Sequence, residues 1–271
     1  LMKNPGFTVI AVISIAIGVG ANAAMFSFAD GLVFRPLPVP RASEVVSILG
    51  QARDTGFGNR NLSYPDYKNL RDSSKTFESL VAYAFVITSF TNRTNEPAER
   101  KVGTAVSGNY FDALEVRPPL GRAFGPAEDE VAGRNPVVVL DHDEWRQQIA
   151  ADPSIVDKRI MLGGVEFTVI GVAPEGFTGI DHDVKPAFYI PIAMYPAVQI
   201  GGQPDLLTRR DARNFTVKGR LAAGATMSQA RQEMQQLASS LAQTYPDTNR
   251  NRELMVKTEF DAYRDRPGGG D

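Results

Sequence analysis

Residues 158–172 read KRIMLGGVEFTVIGV, and this stretch decides the fold class. Two strand-like runs, Lys158 to Leu162 and Val165 to Val172, flank Gly163-Gly164. A Gly-Gly pair offers two positions of positive φ without a Cβ clash, which is what a two-residue hairpin turn requires. The stretch therefore predicts two antiparallel strands joined directly, and such a joint argues against a doubly wound parallel sheet.

Outward from the hairpin, strands and helices alternate. Upstream, Val45 to Leu49, Val81 to Thr91, Ala98 to Val106 and Val137 to Leu140 read as strands, while Asn109 to Leu114 and Asp143 to Ile149 read as short helices. Ser63-Tyr-Pro65-Asp66 opens a further helix that runs to about Arg71. Ser63 is its N-cap, Pro65 lies in its first turn and Asp66 faces the positive end of the dipole. Downstream, Asn214 to Leu221 is a strand with polar alternation, and Thr226-Met-Ser-Gln229 is a capping box. Behind that box Met227, Ala230, Met234, Leu237, Leu241 and Tyr245 step by three or four, forming one apolar stripe that Pro246 ends. Leu254 to Thr258 returns as a strand. Interleaved elements with at least one hairpin predict an α+β fold.

The amino-terminal region follows different rules. No residue from Asn4 to Ala29 is charged, and Phe7 to Phe28 (FTVIAVISIAIGVGANAAMFSF) is long and apolar enough to cross a bilayer core of about 30 Å as a helix. A cleaved signal peptide has a shorter apolar region, of about 7–15 residues. Gly18, Gly20 and Ala23 sit close to a dinucleotide fingerprint. The run before them is too long for one strand, and Val45 to Leu49 ends in Gly50 rather than in the acidic residue a ribose needs. Ser14, Gly18 and Asn22 recur every four residues, and Ala16, Gly20 and Ala24 repeat the spacing on an adjoining face. Small residues at that spacing let helix backbones approach closely inside a membrane, so these six positions are the expected helix-packing site. Arg35-Pro-Leu-Pro-Val-Pro40 then forms a stiff extended exit.

The composition of the whole chain excludes several classes. Hydrophobic residues make up 43% and charged residues 22%, and 29 basic residues against 31 acidic ones give a net charge of −2. Neither the balance nor any local basic stripe points to nucleic acid. The absence of cysteine removes disulfides, thiolate metal sites and cysteine nucleophiles. The two histidines lie in matching tripeptides, Asp141-His142-Asp143 and Asp181-His182-Asp183. Brought together they could bind a divalent metal, but nothing in the sequence joins them, and no metal site is assigned. Nucleophile-elbow and P-loop patterns are both missing. Glu128, Asp129 and Glu130, beside Pro126 and Gly133, read as a solvated acidic loop, and Trp145 as a core anchor under its helix. No catalytic residue, no cofactor and no substrate-binding residue follow from these patterns.

Several segments, in order, resemble the extracytoplasmic core of ABC-transporter permeases of the macrolide-exporter, MacB-like type, in particular the duplicated orphan permeases of soil bacteria. They are NPGFTVIAVISIAIGVGANAAMFSFADGLVFRPLP, SYPDYKNLRDSSKTFESLVAY, VSGNYFDALEVRPPLGRAF, VVVLDHDEW and DPSIVDKRIMLGGVEFTVIGVAPEGF. The sequence departs from the family's usual pattern at Asp141 to Asp143, which is more acidic, and at Asp157, where glycine is common.

The resemblance implies one N-terminal transmembrane helix followed by a bilobed mixed α/β periplasmic domain. Residues 1–6 would be a cytoplasmic stub and 7–29 the span. Residues 30–98 and 211–260 would form a porter-like lobe, 99–210 an inserted second lobe and 261–271 a C-terminal tail. It further implies a permease subunit of the bacterial inner membrane that transmits the motion of a partner ATP-binding cassette ATPase for export or extraction of substrates. Its other expected partners are a second permease, a periplasmic adaptor and the lipid bilayer. The chain itself would be no enzyme, and the three further spans expected after the domain are not in this sequence. The competing reading is a single-span, membrane-anchored periplasmic sensor or binding module.

Overall fold

The structure, a computed structural model, describes residues 16, 19–20, 37–52, 60–91, 98–181 and 184–265. The chain divides into two compact units, Leu1–Pro36 and Leu37–Asp271. In the first, Ala16, Val19 and Gly20 are helical. The rest of the predicted span 7–29, with Ser14, Gly18, Asn22 and Ala24, lies outside the described residues. Among the described residues no helix is long and apolar enough to cross a membrane.

The second unit is built on an 11-stranded mixed sheet. In chain order the strands are β1 (Val45–Ala52), β2 (Leu62–Ser63), β3 (Phe77–Thr91), β4 (Glu99–Val106), β5 (Leu120–Gly121), β6 (Val137–Leu140), β7 (Arg159–Leu162), β8 (Val165–Val172), β9 (Phe188–Pro191), β10 (Arg213–Leu221) and β11 (Arg252–Thr258). The helices are α1 (Tyr64–Ser73), α2 (Tyr110–Ala113), α3 (His142–Gln148), α4 (Tyr195–Val198), α5 (Met227–Thr244), α6 (Pro246–Asn249) and α7 (Glu259–Arg264). Strand order is β11-β1-β10-β3-β4-β9-β6-β8-β5, with β2 on β10 and β7 bridging β3 and β8. The β4–β9 and β6–β8 pairs are parallel, and the other pairs are antiparallel.

Both faces of the sheet are covered, because alternate residues of each central strand enter different cores. On β3 the side chains of Leu80, Ala82, Ala84 and Val86 join one cluster and those of Val81 and Tyr83 the other. On β9 Phe188 and Ile190 separate from Tyr189 in the same way. This is the period of two that a pleated strand imposes. The first cluster is roofed by α1 through Tyr67 and Leu70 and by α5 through Ala230, Met234 and Ala238, while Met227, Leu237 and Leu241 pack partly buried beside it. The second is closed by Tyr110 and Phe111 of α2 with Phe124, Phe177 and Ile180.

Local signals are realised where the chemistry is local. Gly163 and Gly164 take φ of 59° and 81° at the β7–β8 turn. Thr226 Oγ1 accepts from the Gln229 amide at 3.3 Å, and Gln229 Oε1 accepts from the Thr226 amide at 2.8 Å, completing the capping box. Ser63 Oγ accepts from the Asp66 amide at 3.2 Å. Pro246 ends α5 but also opens the single turn α6, as a residue without a usable N–H can at a first helical position. Asp157 has φ of 66°. Gly103 is required by packing, since a Cβ there would lie 2.2 Å from the Phe188 ring.

Candidate functional site

Strand register brings the chain's entry and exit to one end of the sheet. Val46 lies opposite Thr258, the last residue before α7. Val45 lies opposite Arg220, and Arg220 opposite Ser79. The segment 37–44 that feeds β1, the end of β10, the start of β3 and the start of α7 therefore share one corner of the fold.

Two cations of β10 hold that corner together. Phe215 and Val217 enter the first core, so Lys218 and Arg220, on the alternate register, point to the other face. Both are buried, at 1% and 2% exposure. Arg220 Nη1 donates to the carbonyls of Pro40 and Arg41, each at 3.1 Å, and Nε donates to Ala113 O at 3.1 Å. It thereby fastens the entering segment to β10 and to the end of α2. Lys218 Nζ donates to Glu259 Oε2 at the first position of α7 and to the Ile180 carbonyl. Ser47 Oγ of β1 donates to the other oxygen of Glu259 at 2.7 Å. Lys218 is buried and Glu259 part-buried, at 2% and 18% side-chain exposure, and a buried ammonium is costly unless paired and hydrogen-bonded, so each group fixes the place of its partner.

Arg41 surrounds this core with a solvent-facing network. Its backbone is left-handed, with φ of 50°. Its guanidinium pairs with Glu44 and Glu78, at 3.1 Å each, and with Glu115. The hydrogen bond from Arg41 holds the Glu115 carboxyl below the ordinary carboxylate range. Glu115 is itself left-handed, at φ of 57°.

A second tie lies where a solvated acidic loop was expected. Asp129 turns inward, and its carboxylate accepts from Tyr64 Oη at 2.8 Å, Gly108 N at 3.2 Å and Ala193 N at 3.1 Å. Burial raises its pKa above the ordinary value, against the lowering effect of these donors. The physical reason for the inward turn is that three donors from separate segments converge there, which sequence proximity does not reveal. Asp129 also lines an open cleft of about 440 Å³ with Tyr64, Lys68, Arg71 and Asn109. A third tie joins α1 to the end of α5. There Asp66 accepts from Arg210 at 2.6 Å and Asn249 at 3.0 Å, while the Arg210 guanidinium lies 3.5 Å from the centre of the Tyr245 ring.

The two histidine tripeptides have separate fates. Asp141 caps α3, accepting from the amides of Asp143 at 2.9 Å and Glu144 at 3.3 Å. His142 packs its ring 5.6 Å from that of Trp145. Trp145 is half-buried against the first core and donates its Nε1 hydrogen to Asp152 O at 2.9 Å. Of the second tripeptide, Asp181 accepts from Tyr83 Oη at 2.9 Å, and His182 and Asp183 lie outside the described residues. The Asp141 amide donates to Ala187 O at 3.0 Å, so the chain after the second tripeptide returns to the first. The Lys185 ammonium pairs with Asp143 there. Among the described residues no group of three or more His, Cys, Asp and Glu could hold a metal ion.

Lys218, Arg220 and Glu259 escaped sequence reasoning. The signal was present, as two cations at alternate positions of a strand whose other face is apolar. Such alternation ordinarily marks a solvent face, and only the second core and α7 turn it into an interior.

Comparison with known proteins gives a consistent result. Residues 8–237 match the family model described as the MacB-like periplasmic core domain. The macrolide export ATP-binding/permease protein MacB of Chlorobaculum tepidum is 36% identical over 103 residues, covering 36% of this chain. The match spans only 15% of the length of that protein. The periplasmic region of MacB from Actinobacillus actinomycetemcomitans superposes with a TM-score of 0.57 at 17% identity, over 81% of this chain and 90% of that one. The extracellular domain of the noncanonic ABC-type transporter YknZ from Gram-positive bacteria gives 0.54 at 16% identity, over 78% and 99%. At these identities the two structural likenesses speak for the fold.

Proposed function

The chain belongs to the family of MacB-like periplasmic core domains, and from that premise we propose that it is the extracytoplasmic part of an ABC-transporter permease subunit, transmitting motion rather than performing chemistry. Residues 7–29 would span the bacterial inner membrane and pack against neighbouring spans through Ser14, Ala16, Gly18, Gly20, Asn22 and Ala24. The domain would stand in the periplasm, and a partner ATPase would drive it for export or extraction of substrates. A permease dimer and a periplasmic adaptor complete the proposed assembly.

The observation that carries this reading is the shared corner. Chain entry and chain exit converge on one end of a single sheet, and hydrogen bonds from Arg220 and the ion pair of Lys218 with Glu259 fix both to it. A displacement applied to either chain crossing is thereby delivered to the whole sheet. Strand order also supports the proposed lobes. β11, β1, β10 and β3, from residues 30–98 and 211–260, lie together, and β4, β9, β6, β8 and β5, from 99–210, continue beyond them.

The test is purification of the full-length protein in detergent with its cognate nucleotide-binding subunit or domain. Stable association, with ATP turnover altered by deletion of residues 37–265, is the expected result. A full-length protein that associates with no nucleotide-binding subunit, and whose gene carries no further spans of about 20 apolar residues, would instead be a single-span sensor or binding module.

A further inference from the structure

The segment Phe177–Asp181 belongs to the middle of the chain, yet side chains of the sheet and of α2 hold it. Ile180 N donates to Tyr110 Oη at 3.2 Å, Tyr83 Oη donates to Asp181 at 2.9 Å, and Lys218 Nζ donates to Ile180 O. Gly179, at φ of 85°, carries no Cβ that would crowd Tyr110 Oη. Lys218 also binds the exit helix, because the same ammonium pairs with Glu259.

We infer that Lys218 is a coupling residue, one buried ammonium shared between Glu259 of α7 and the Ile180 carbonyl, so that a shift of the exit helix is felt in the loop 177–181. The step is electrostatic and local. If α7 moves Glu259 away, Lys218 has either to follow its carboxylate, leaving the Ile180 carbonyl, or to remain as a buried cation without its counter-charge. The first releases the carbonyl of the loop, and the second leaves a buried charge uncompensated beside it, which is far less favourable than a broken surface contact. Burial, with the Asp181 and Glu259 carboxylates adding to it, holds the Tyr83 phenol well above its ordinary value. This inference rests on the proposed function only for its purpose, the passage of motion from a membrane-side crossing into the inserted lobe. The coupling itself needs neither an ATPase nor a substrate.

Amide hydrogen exchange on the full-length protein in detergent tests it, comparing wild type with Glu259→Gln and Lys218→Met. Glu259→Gln keeps the shape and an acceptor for Ser47 but removes the charge. It is expected to speed exchange at α7 and, at least roughly tenfold, at Ile180 and Asp181, a factor equivalent to about 1.4 kcal/mol of local stability, with α5 unchanged. Lys218→Met should speed both regions, and adding Glu259→Gln to it should change the loop no further. The inference is overturned if Glu259→Gln speeds α7 while Ile180 and Asp181 keep the wild-type rate, or if the two substitutions act additively on the loop. Should Lys218→Met fail to fold, Glu259→Gln decides alone. Failure to bind an ATPase would count against the proposed function and leave this result untouched.

Discussion

Replacing Arg220 by methionine isolates the clamp on the entering segment. The guanidinium is 2% exposed in its residue and makes three hydrogen bonds of 3.1 Å, to Pro40 O, Arg41 O and Ala113 O. Hydrogen bonds to charged groups contribute about 1.5–3 kcal/mol each, so their gross loss is roughly 5–9 kcal/mol. Three effects oppose it. Removing the guanidinium relieves a desolvation penalty of several kcal/mol, and the penalty is larger here because Nη2 is buried without a hydrogen-bond partner. Methionine also keeps much of the apolar stem's packing. Pro40 and Arg41 are exposed, so their carbonyls regain water. The net expectation is a loss of about 2–4 kcal/mol. For a unit of this size it corresponds to a fall of roughly 5–15 °C in Tm.

Urea and thermal unfolding followed by circular dichroism measure the change, and hydrogen exchange locates it, with residues 37–44 losing protection before the sheet does. Arg220→Lys should recover part of the loss, because one ammonium cannot reach both carbonyl groups with the fixed fork of a guanidinium. A Tm within about 1 °C of wild type for Arg220→Met, with unchanged protection over 37–44, would refute the clamp.

Three further outcomes are expected. Gly103→Ala forces a Cβ to within 2.2 Å of the buried Phe188 ring, so it should cost about 2–3 kcal/mol in urea unfolding; a neutral result would mean that the β4–β9 contact is loose. For Asp129, burial raises the folded-state pKa above 3.8, so its stability contribution is complete below the ordinary value and is lost as pH rises through the raised one. Unfolding free energies of wild type and Asp129→Asn, compared from pH 7 down to pH 4, should therefore diverge in favour of wild type on acidification, and the opposite trend would contradict the buried placement. Asp157→Gly relieves a non-glycine residue at φ of 66° and should stabilise by about 0.5 kcal/mol net of the backbone entropy that glycine adds to the unfolded chain; destabilisation by the same measurement would show that the aspartate side chain matters more than its backbone.

Much of the local architecture was legible in the sequence. The Gly163-Gly164 turn, the Thr226 capping box, the Ser63 N-cap and the apolar stripe of α5 are specified within a few neighbouring residues, and each appears where those residues place it, save that Tyr245, the last of the stripe, falls beyond the end of α5 and stacks on Arg210 instead. The family could be recognised for a related reason, since its segments keep their order along the chain and order is a one-dimensional property. β9 was less visible, because the four residues FYIP are too short and uniformly apolar to show a period, and their strand exists through the partners β4 and β6.

The sequence by itself determined the alternation of elements, the hairpin, the caps and the likeness to MacB-type domains, because these depend on backbone preferences and side-chain spacing over short distances. Only the tertiary structure decided that Lys218 and Arg220 are interior, that Asp129 turns inward and that entry and exit share one corner. The partners concerned lie 38, 41, 64 and 180 residues apart for Lys218–Ile180, Lys218–Glu259, Asp129–Ala193 and Arg220–Pro40. A strand's charged alternation reads the same whether water or a second core lies beyond it, and only the packing of distant segments supplies the answer.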